Sequence, residues 1–530
     1  MIKIKILVVI ALLLTTCCSI KAQNTTNIDV QHYRFEVSLS DHSDIIKGMA
    51  TIDLRFLKNT SIFHLDLGNI DSTGKGMKVL KIEQGGKQLS FNHSNARLSI
   101  QLPTAAKAGS NQAFTVEYMG IPSDGLIIGQ SIFKKRTFFG DNWPNRAHHW
   151  LPCNDIPADK ASLEFIITAP KHYSIVSNGI KKEERLVNDS TKLTHWKEDV
   201  PLPTKVMVIG AADFAVSEPA MAGTIPVTSW VYEEDKDKGF KDYAPAKDIL
   251  QYYIGYIGPY PYKKLANVQS KTIFGGMENA GAIFYFEKSV TGEGGLEDLL
   301  AHEIVHQWFG DMVTETDFRH LWLSEGFATY LTDVYIESKY GTDSMNRRLA
   351  EQRYAVIDFA KRSSLPVVDT SSNYMRLLNA NSYQKGGWIL HMLRNTVGDA
   401  AFKKIIKEHY RKFAGKNSSS ADFITTAEMV SKKNLKPFFN QWLYKPGIPV
   451  LATTWTYDAK KRIAVITVEQ KQPALFAFPV ELQVKAGDEI IVRTISVQKR
   501  KTSITVRVNG PVTELVPDPN YKLLWKPSSL

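Results

Sequence analysis

The 530-residue sequence predicts a multidomain α+β protein with β-rich ends and a mostly helical middle. The chain is longer than the roughly 100–200 residues that one domain usually holds. Its apolar content of 43% and charged content of 22% are typical of globular proteins. The hydrophobic pattern also changes along the chain, from the two-residue period of strands to the longer period of helices and back again. These three observations together predict separate β, α and β regions.

The first residues are typical of a secretory signal. The segment MIKIKILVVIALLLTTCCSIKAQ combines Lys3 and Lys5 with an apolar run, followed by small and polar residues. We therefore predict a signal peptide over residues 1–22, cleavage after Ala22, and export to a bacterial periplasm or cell surface. Alternatively, Cys17 follows a loose lipobox and carries a lipid anchor. Beyond this segment, we expect no membrane span.

Residues 23–225 are predicted to form an antiparallel β domain. Short β-rich runs such as GMATIDLRFL, AFTVEYMG and SLEFIITAP alternate apolar and polar residues between turn signals. Helical patterns then dominate residues 226–446, including GLEDLLAHEIVHQWFG and LSEGFATYLTDVYIESKYG. Alternation returns in RIAVITVEQ and PVELQVKAG, so we predict a C-terminal β-sandwich over residues 447–530.

The charge distribution and the cysteine content predict neither a nucleic-acid-binding protein nor a disulfide-bonded one. The net charge is +11, but lysines and arginines are scattered among acids, which predicts no nucleic-acid-binding surface. Cys153 is the one cysteine beyond the predicted signal peptide, so we expect no internal disulfide. The sequence predicts no particular oligomeric state.

One helix of the middle region carries polar residues in a pattern suited to a metal. His302 and His306 are four residues apart, so their side chains project from one helical face, about 5–6 Å between Cβ atoms. A catalytic zinc takes three protein ligands and leaves one position for water. Glu325, on a second predicted helix, can supply the third ligand. The alternative interpretation of this motif alone is a pair of histidines packed in a core.

A wider set of motifs resembles the aminopeptidase N family of zinc metallopeptidases, the gluzincins. HEIVH is followed after eighteen residues by SEGFA, preceded by GGMEN and followed by YQKGG at Tyr383. The passages LPCNDIPADKASLEF and QWLYKPGIPVL extend the likeness over nearly all of the chain. The resemblance is to a short form without the large helical C-terminal domain of many members.

The resemblance implies a thermolysin-like catalytic domain with one zinc ion per chain, held by His302, His306 and Glu325. Glu303 is then the general base that accepts a proton from water, and Tyr383 donates a hydrogen bond to the oxyanion. The GGMEN segment is the implied substrate-binding strand, formed by Gly275, Gly276, Met277, Glu278 and Asn279. In it, Glu278 binds the free α-ammonium, and the glycines let the substrate backbone approach.

One position departs from the family pattern. Members commonly carry a second amine-binding glutamate or glutamine before the PCxDxP stretch, and Trp143 stands at that position here. Asp141 is the nearest carboxylate, and we predict that it substitutes in binding the substrate amine. The alternative is that Asp141 caps a turn.

The sequence therefore predicts a zinc-dependent aminopeptidase whose partners are peptides with free N-termini. Two alternatives stay open: a thermolysin-like endopeptidase, and an inactive surface binding protein on the same scaffold. The preferred N-terminal residue is not predicted, because the segments that form the pocket walls are not identifiable from sequence.

Overall fold

The computed structural model describes residues 27–529, so the predicted signal peptide, its cleavage site at Ala22 and Cys17 lie outside the described residues. Within this range the chain forms three regions in sequence order, β-rich, largely helical and again β-rich. This order confirms the predicted fold class. No helix between residues 27 and 529 is both long and apolar enough to cross a bilayer.

The N-terminal region contains an eight-stranded sheet of order β13-β14-β11-β1-β2-β8-β4-β5, a three-stranded sheet β3-β7-β6 and a four-stranded sheet β12-β15-β10-β9. The strands are β1 (Ile28–Ser38), β2 (Ile46–Phe56), β3 (Thr60–Asp66), β4 (Gly76–Gln84), β5 (Lys87–Gln88), β6 (Ser90–Ser94), β7 (Arg97–Ala106), β8 (Asn111–Ile121), β9 (Leu126–Gln130), β10 (Arg136–Gly140), β11 (Lys160–Pro170), β12 (Ser174–Ser177), β13 (Ile180–Asn188), β14 (Thr191–Pro203) and β15 (Ile209–Ala212).

The pairing in these sheets is antiparallel with one exception. Strand β1 runs parallel to β11, with Phe35 opposite Phe165. From Tyr33 onward every second residue of β1 is buried, including Phe35 and Val37, as expected for a strand with one face on a core. The sequence pattern predicted the strands correctly, but strand direction depends on chain crossovers that alternation does not encode.

The middle region has a six-stranded mixed sheet, in which β16-β18-β19-β21-β20 are neighbours and β17 pairs with β18. Its strands, together with the small pair β22–β23, are β16 (Phe214–Val216), β17 (Ala220–Ala222), β18 (Ile225–Tyr232), β19 (Leu265–Ser270), β20 (Gly276–Met277), β21 (Ala282–Phe286), β22 (Thr314–Glu315) and β23 (Asn417–Ser418). Because β16 already belongs to this sheet, the sheet begins before the predicted domain boundary at residue 225. The predicted boundaries themselves stay predictions.

The described chain contains nine α-helices, all in the middle region. They are α1 (Lys236–Tyr243), α2 (Ala246–Tyr256), α3 (Glu297–His306), α4 (Trp322–Tyr340), α5 (Thr342–Arg362), α6 (Gly386–Val397), α7 (Asp399–Phe413), α8 (Ser420–Ser431) and α9 (Lys436–Leu443). Helix α4 buries 15 of its 19 residues, as expected for a helix with apolar residues on all sides. It is therefore the central helix against which α3, α5 and α6 pack.

The C-terminal region consists of two sheets, β28-β25-β24-β30 and β27-β26-β29. Its strands are β24 (Val450–Asp458), β25 (Ile463–Gln470), β26 (Phe478–Ala486), β27 (Glu489–Val497), β28 (Lys501–Arg507), β29 (Val512–Pro517) and β30 (Lys526–Pro527). Ile466 of one sheet and Leu482 of the other are both fully buried in the common core. Arg353 of α5 anchors this region through an ion pair with Asp518 at 2.5 Å.

Candidate active site

Three predicted metal ligands meet between α3 and α4. The Nε2 atoms of His302 and His306 are 3.2 Å apart, and Glu325 Oε2 lies 3.4 Å and 3.3 Å from them. A tetrahedral zinc with ligand bonds of about 2.0–2.1 Å separates its ligand atoms by about 3.3–3.4 Å. These three atoms, called the metal triangle below, therefore have the spacing that zinc requires.

The packing of α3 explains why its polar residues face this point. Leu300, Ala301, Ile304 and Val305 are fully buried on the face that contacts the core. His302, Glu303 and His306 occupy the remaining face, which borders a cavity. Glu297 and Asp298 lie in the first turn, where carboxylates stabilise the positive end of the helix dipole.

The hydrogen-bond partners of His306 leave its Nε2 atom available as a metal ligand. Its Nδ1 atom lies 3.1 Å from the Phe309 carbonyl and 3.0 Å from Ser324 Oγ. Because a carbonyl only accepts, Nδ1 carries the proton and the Nε2 lone pair faces the metal triangle. Glu325 Oε2 is buried without a hydrogen-bond partner among the described residues. The contacts it does have are with the Nε2 atoms of His302 and His306, at 3.4 Å and 3.3 Å, so this buried carboxylate oxygen is placed to share a metal ion with them.

Glu303 lies under strand β20, beside the metal triangle. Its side chain is buried, and a Cβ atom built at Gly276 would lie 2.7 Å from Glu303 Cγ and still closer to the carboxylate. Only glycine therefore lets the strand pass over this side chain. Burial raises the pKa of the Glu303 carboxyl well above its usual range; nearby Glu278 raises it further, while His306 opposes the shift.

Tyr383 packs against the imidazole ring of His302. It belongs to a single π-helical turn, Asn381–Lys385, that leads directly into α6. Its ring stacks on the His302 ring with centroids 6.0 Å apart and an interplanar angle of 11°. Burial raises the pKa of the Tyr383 phenol well above its ordinary value, and Glu325 adds to the shift. The hydroxyl is therefore protonated at neutral pH and can donate a hydrogen bond.

The GGMEN segment borders the same cavity. Gly276 and Met277 form β20, which pairs antiparallel with β21, and Glu278 follows immediately. Glu278 is 5% exposed, and its Oε1 atom has no hydrogen-bond partner among the described residues. Asn279 is fully buried, and neither of its amide atoms is paired within the described chain. The segment thus presents a carboxylate oxygen that is free to bind a cation.

Gln307 holds this segment against α3, a role that sequence analysis missed. Its Nε2 atom donates to the Glu278 carbonyl at 2.6 Å and to Asp311 Oδ2 at 2.9 Å. Its Oε1 atom accepts from the Gly281 amide at 2.7 Å. The one available signal was a polar residue directly after His306 in an otherwise apolar helix end. That signal does not identify the partner.

Asp141 is not among the residues that line the cavity, and its contact with the substrate amine stays a prediction. The side chain is fully buried, with Oδ1 3.0 Å from Arg146 Nη2 and Oδ2 accepting from the Ile273 amide at 3.1 Å. Both oxygens are therefore engaged within the protein. Asp141 instead positions the chain that leads into Gly275, which agrees better with its alternative interpretation as a turn residue.

The metal triangle, Glu303, Glu278 and Tyr383 all border one cavity of about 340 Å³, called the central cavity below. Trp143, which occupies the position of the missing second amine-binding residue, also lines it. The lining residues are Trp143, Phe274, Gly275, Gly276, Met277, Glu278, Leu299, His302, Glu303, His306, Glu325, Leu378 and Tyr383. Asn279 and Asp141 are the two predicted site residues outside this lining.

Comparisons with known proteins agree with this architecture. Leucyl aminopeptidase of Saccharolobus solfataricus is 23% identical over 445 residues, which cover 80% of this chain and 54% of that protein. Glutamyl aminopeptidase of Sus scrofa is 29% identical over 330 residues, covering 59% and 35%. The chain thus spans about a third to a half of the length of such curated relatives.

A solved structure and two family models complete the comparison. The crystal structure of a mutant M1 zinc metallopeptidase from Deinococcus radiodurans, bound to a Tyr-Ser-Ala substrate, has a TM-score of 0.69 at 23% identity. It covers 80% of this chain and 95% of its own, and it supports the fold. The Peptidase M1 N-terminal domain matches residues 29–206, and the Peptidase family M1 domain matches residues 243–442, which contain the metal triangle. Zinc is the metal of this family, and the chain belongs to peptidase family M1.

Proposed function

We propose that this chain is a zinc aminopeptidase that removes single residues from the N-termini of peptides. The observation that carries the proposal is Glu278, a buried residue that lines the same cavity as the metal triangle and whose Oε1 atom has no hydrogen-bond partner among the described residues. A charge-assisted hydrogen bond from an α-ammonium satisfies that oxygen. Binding there places the first peptide bond, rather than an internal one, beside the metal triangle.

The residues around the scissile bond have separate tasks. His302, His306 and Glu325 would hold the zinc ion, which would supply a Lewis acid to polarise the scissile carbonyl and make a water molecule more acidic. Glu303 accepts the proton of that water and transfers it to the leaving amine.

Tyr383 stabilises the charge that develops on the carbonyl oxygen. Its phenol stays protonated because burial raises its pKa, so it donates a hydrogen bond as the oxygen becomes negative. Gly276 keeps β20 close above Glu303, and the free edge of this two-residue strand suits an extended peptide backbone.

A thermolysin-like endopeptidase is disfavoured by the same carboxylate. An internal peptide segment has no cation for Glu278, so its binding leaves a buried charge unpaired, which costs about 1–3 kcal/mol or more. An inactive binding protein on this scaffold is disfavoured because the three ligands and Glu303 are all in place.

Matched peptides with free and acetylated N-termini test the proposal. We expect about one zinc per chain and hydrolysis of the free peptide only, with chelation abolishing activity. Glu278→Gln should retain zinc and lose most of its preference for the free amine, while Glu303→Gln should retain zinc and lose turnover. Equal cleavage of both peptides by the unmodified enzyme would establish an endopeptidase instead.

We further propose that the enzyme is exported, on the strength of the signal-like residues 1–22. Intact mass and cell fractionation distinguish the two processing routes. Cleavage after Ala22 gives a chain beginning at Gln23, whereas a lipid anchor gives a heavier product attached through Cys17.

A further inference from the structure

Apart from the metal triangle and the acidic side chains, much of the lining of the central cavity is apolar. Trp143 and Phe274 meet edge to face, with ring centroids 5.8 Å apart and an interplanar angle of 89°. Trp143 makes a second edge contact with Phe318 at 5.8 Å, which fixes the indole from behind. Leu299 and Leu378 complete this lining. We call the lining residues Trp143, Phe274, Leu299 and Leu378 the apolar wall.

The carboxylates that line the cavity are not balanced by lysine or arginine side chains of the described chain in the same lining. Its lining contains three carboxylates, Glu278, Glu303 and Glu325, and within residues 27–529 no lysine or arginine belongs to it. Two cations lie behind the aromatic side chains. Arg146 stacks 5.7 Å from the Phe274 centroid but is paired with Asp141 and Asp124, and Lys205 is paired with Glu315 at 2.5 Å.

The proposed function determines where the first side chain of a substrate goes. Its ammonium binds Glu278 and its carbonyl lies at the metal triangle, so two of the substituents around the first Cα are fixed. The rest of the lining consists of the apolar wall, Gly275, Gly276, Met277, Glu303 and Tyr383. We place the side chain against the apolar part of this lining. A carboxylate side chain there would lose its hydration without gaining a cation, whereas an aliphatic or aromatic side chain would be buried favourably.

Resting on the proposed function, we propose that the apolar wall is the pocket for the first residue and makes the enzyme selective for large apolar N-terminal residues over acidic ones. Trp143 is the specificity-determining residue of this pocket. Several relatives are named glutamyl aminopeptidases. The inference therefore separates this chain from those relatives in substrate class.

The test measures both hydrolysis and binding. Peptides of the form X-Ala-Ala, with X being Leu, Phe, Ala, Glu or Lys, are compared by kcat/KM with the unmodified enzyme. The same peptides are titrated calorimetrically into the zinc-loaded Glu303→Gln variant, which binds without turnover. We expect Leu and Phe to exceed Glu by about 100-fold or more in both measurements.

Variants of the apolar wall then test which residues cause the preference for a large apolar first residue. Trp143→Ala should lower the Leu-to-Ala ratio by about tenfold with unchanged zinc content, and Trp143→Phe should restore part of it. Phe274→Ala should act in the same direction, which keeps the test decisive if a Trp143 variant folds poorly. Trp455→Ala, on an exposed indole of β24, is the matched control and should change nothing.

A second series, Leu-X-Ala, varies the next residue. Equal or better binding of the Glu peptide overturns the inference, and so does a Trp143→Ala effect confined to the second position. Absence of any hydrolysis by zinc-loaded enzyme would instead refute the proposed function. The binding ratio of Leu to Glu peptides in Glu303→Gln still decides the inference in that case.

Discussion

Replacing Gly276 with alanine should disable the proposed general base without disturbing the metal. A Cβ at this position lies 2.7 Å from Glu303 Cγ, whereas carbon atoms pack at about 3.5–4.0 Å, so Glu303 must move by roughly 1 Å. A displacement of about 1 Å at a reacting group costs about 100-fold in rate, or about 2.7 kcal/mol. We expect kcat to fall by about that factor.

Gly275→Ala is a matched control, because a Cβ at Gly275 meets nothing within 4 Å. Both variants are assayed for kcat and KM on an aminoacyl chromogenic substrate, and for zinc by elemental analysis. Both should bind a full complement of zinc. In a Glu303→Gln background the Gly276→Ala change should have little further effect, because the group it displaces is already inactive.

Two results would refute this reasoning. If Gly276→Ala and Gly275→Ala have the same kcat, the strand does not constrain Glu303. If Gly276→Ala loses activity equally in both backgrounds, the loss arises from substrate binding to β20 and not from the base.

Four further expectations follow from the same geometry. Glu325→Ala should abolish stable zinc binding by elemental analysis, and a full complement would identify another third ligand. Tyr383→Phe should lower kcat by about 10²–10³-fold with little change in KM. Gln307→Leu should raise KM more than it lowers kcat, because it releases the Glu278 backbone, and a normal KM would contradict that role. Burial lowers the pKa of His391 to about 3, so its contribution to stability is present above pH 6.5 and is lost as pH falls toward 3. When the pH falls from 7.5 to 5, the free energy of unfolding should therefore decrease by about 2 kcal/mol less in His391→Gln than in the unmodified enzyme. Urea titrations at the two pH values measure this difference, with His42→Gln as an exposed control.

The sequence predicted the parts of the site that depend on local spacing. His302 and His306 lie on one face of α3 because four residues make about one helical turn. Glu325 could be offered as a third ligand from a second helix, but its assignment rested on the family resemblance, since its position depends on how α4 crosses α3. That crossing brings α6 close as well: a Cβ at Gly326 would lie 2.9 Å from the Gly386 Cα atom, and Tyr383 directly precedes α6.

Long-range polar pairs could not be predicted in this way. Lys205 lies between β14 and β15 and Glu315 lies 110 residues later, yet both are buried and paired. Asp141 was assigned to the substrate because it was the nearest carboxylate in sequence to Trp143. In the fold, Arg146 reaches it first, because five residues of an irregular segment bring the two side chains together. The short sequence separation between Asp141 and Trp143 indicated that the two residues are near each other, but it did not indicate where the Asp141 side chain points.

The charge balance of the central cavity connects the metal to the proposed requirement for a free N-terminus. Glu278, Glu303 and Glu325 border one small cavity, and burial raises the pKa of both Glu278 and Glu303. The two charges of zinc and the single charge of an α-ammonium together equal the three charges of these carboxylates. An acetylated peptide supplies no such charge, so one carboxylate must then remain unpaired or take up a proton. Under the proposed function, selectivity for free N-termini would follow from the number of buried carboxylates as well as from the position of Glu278.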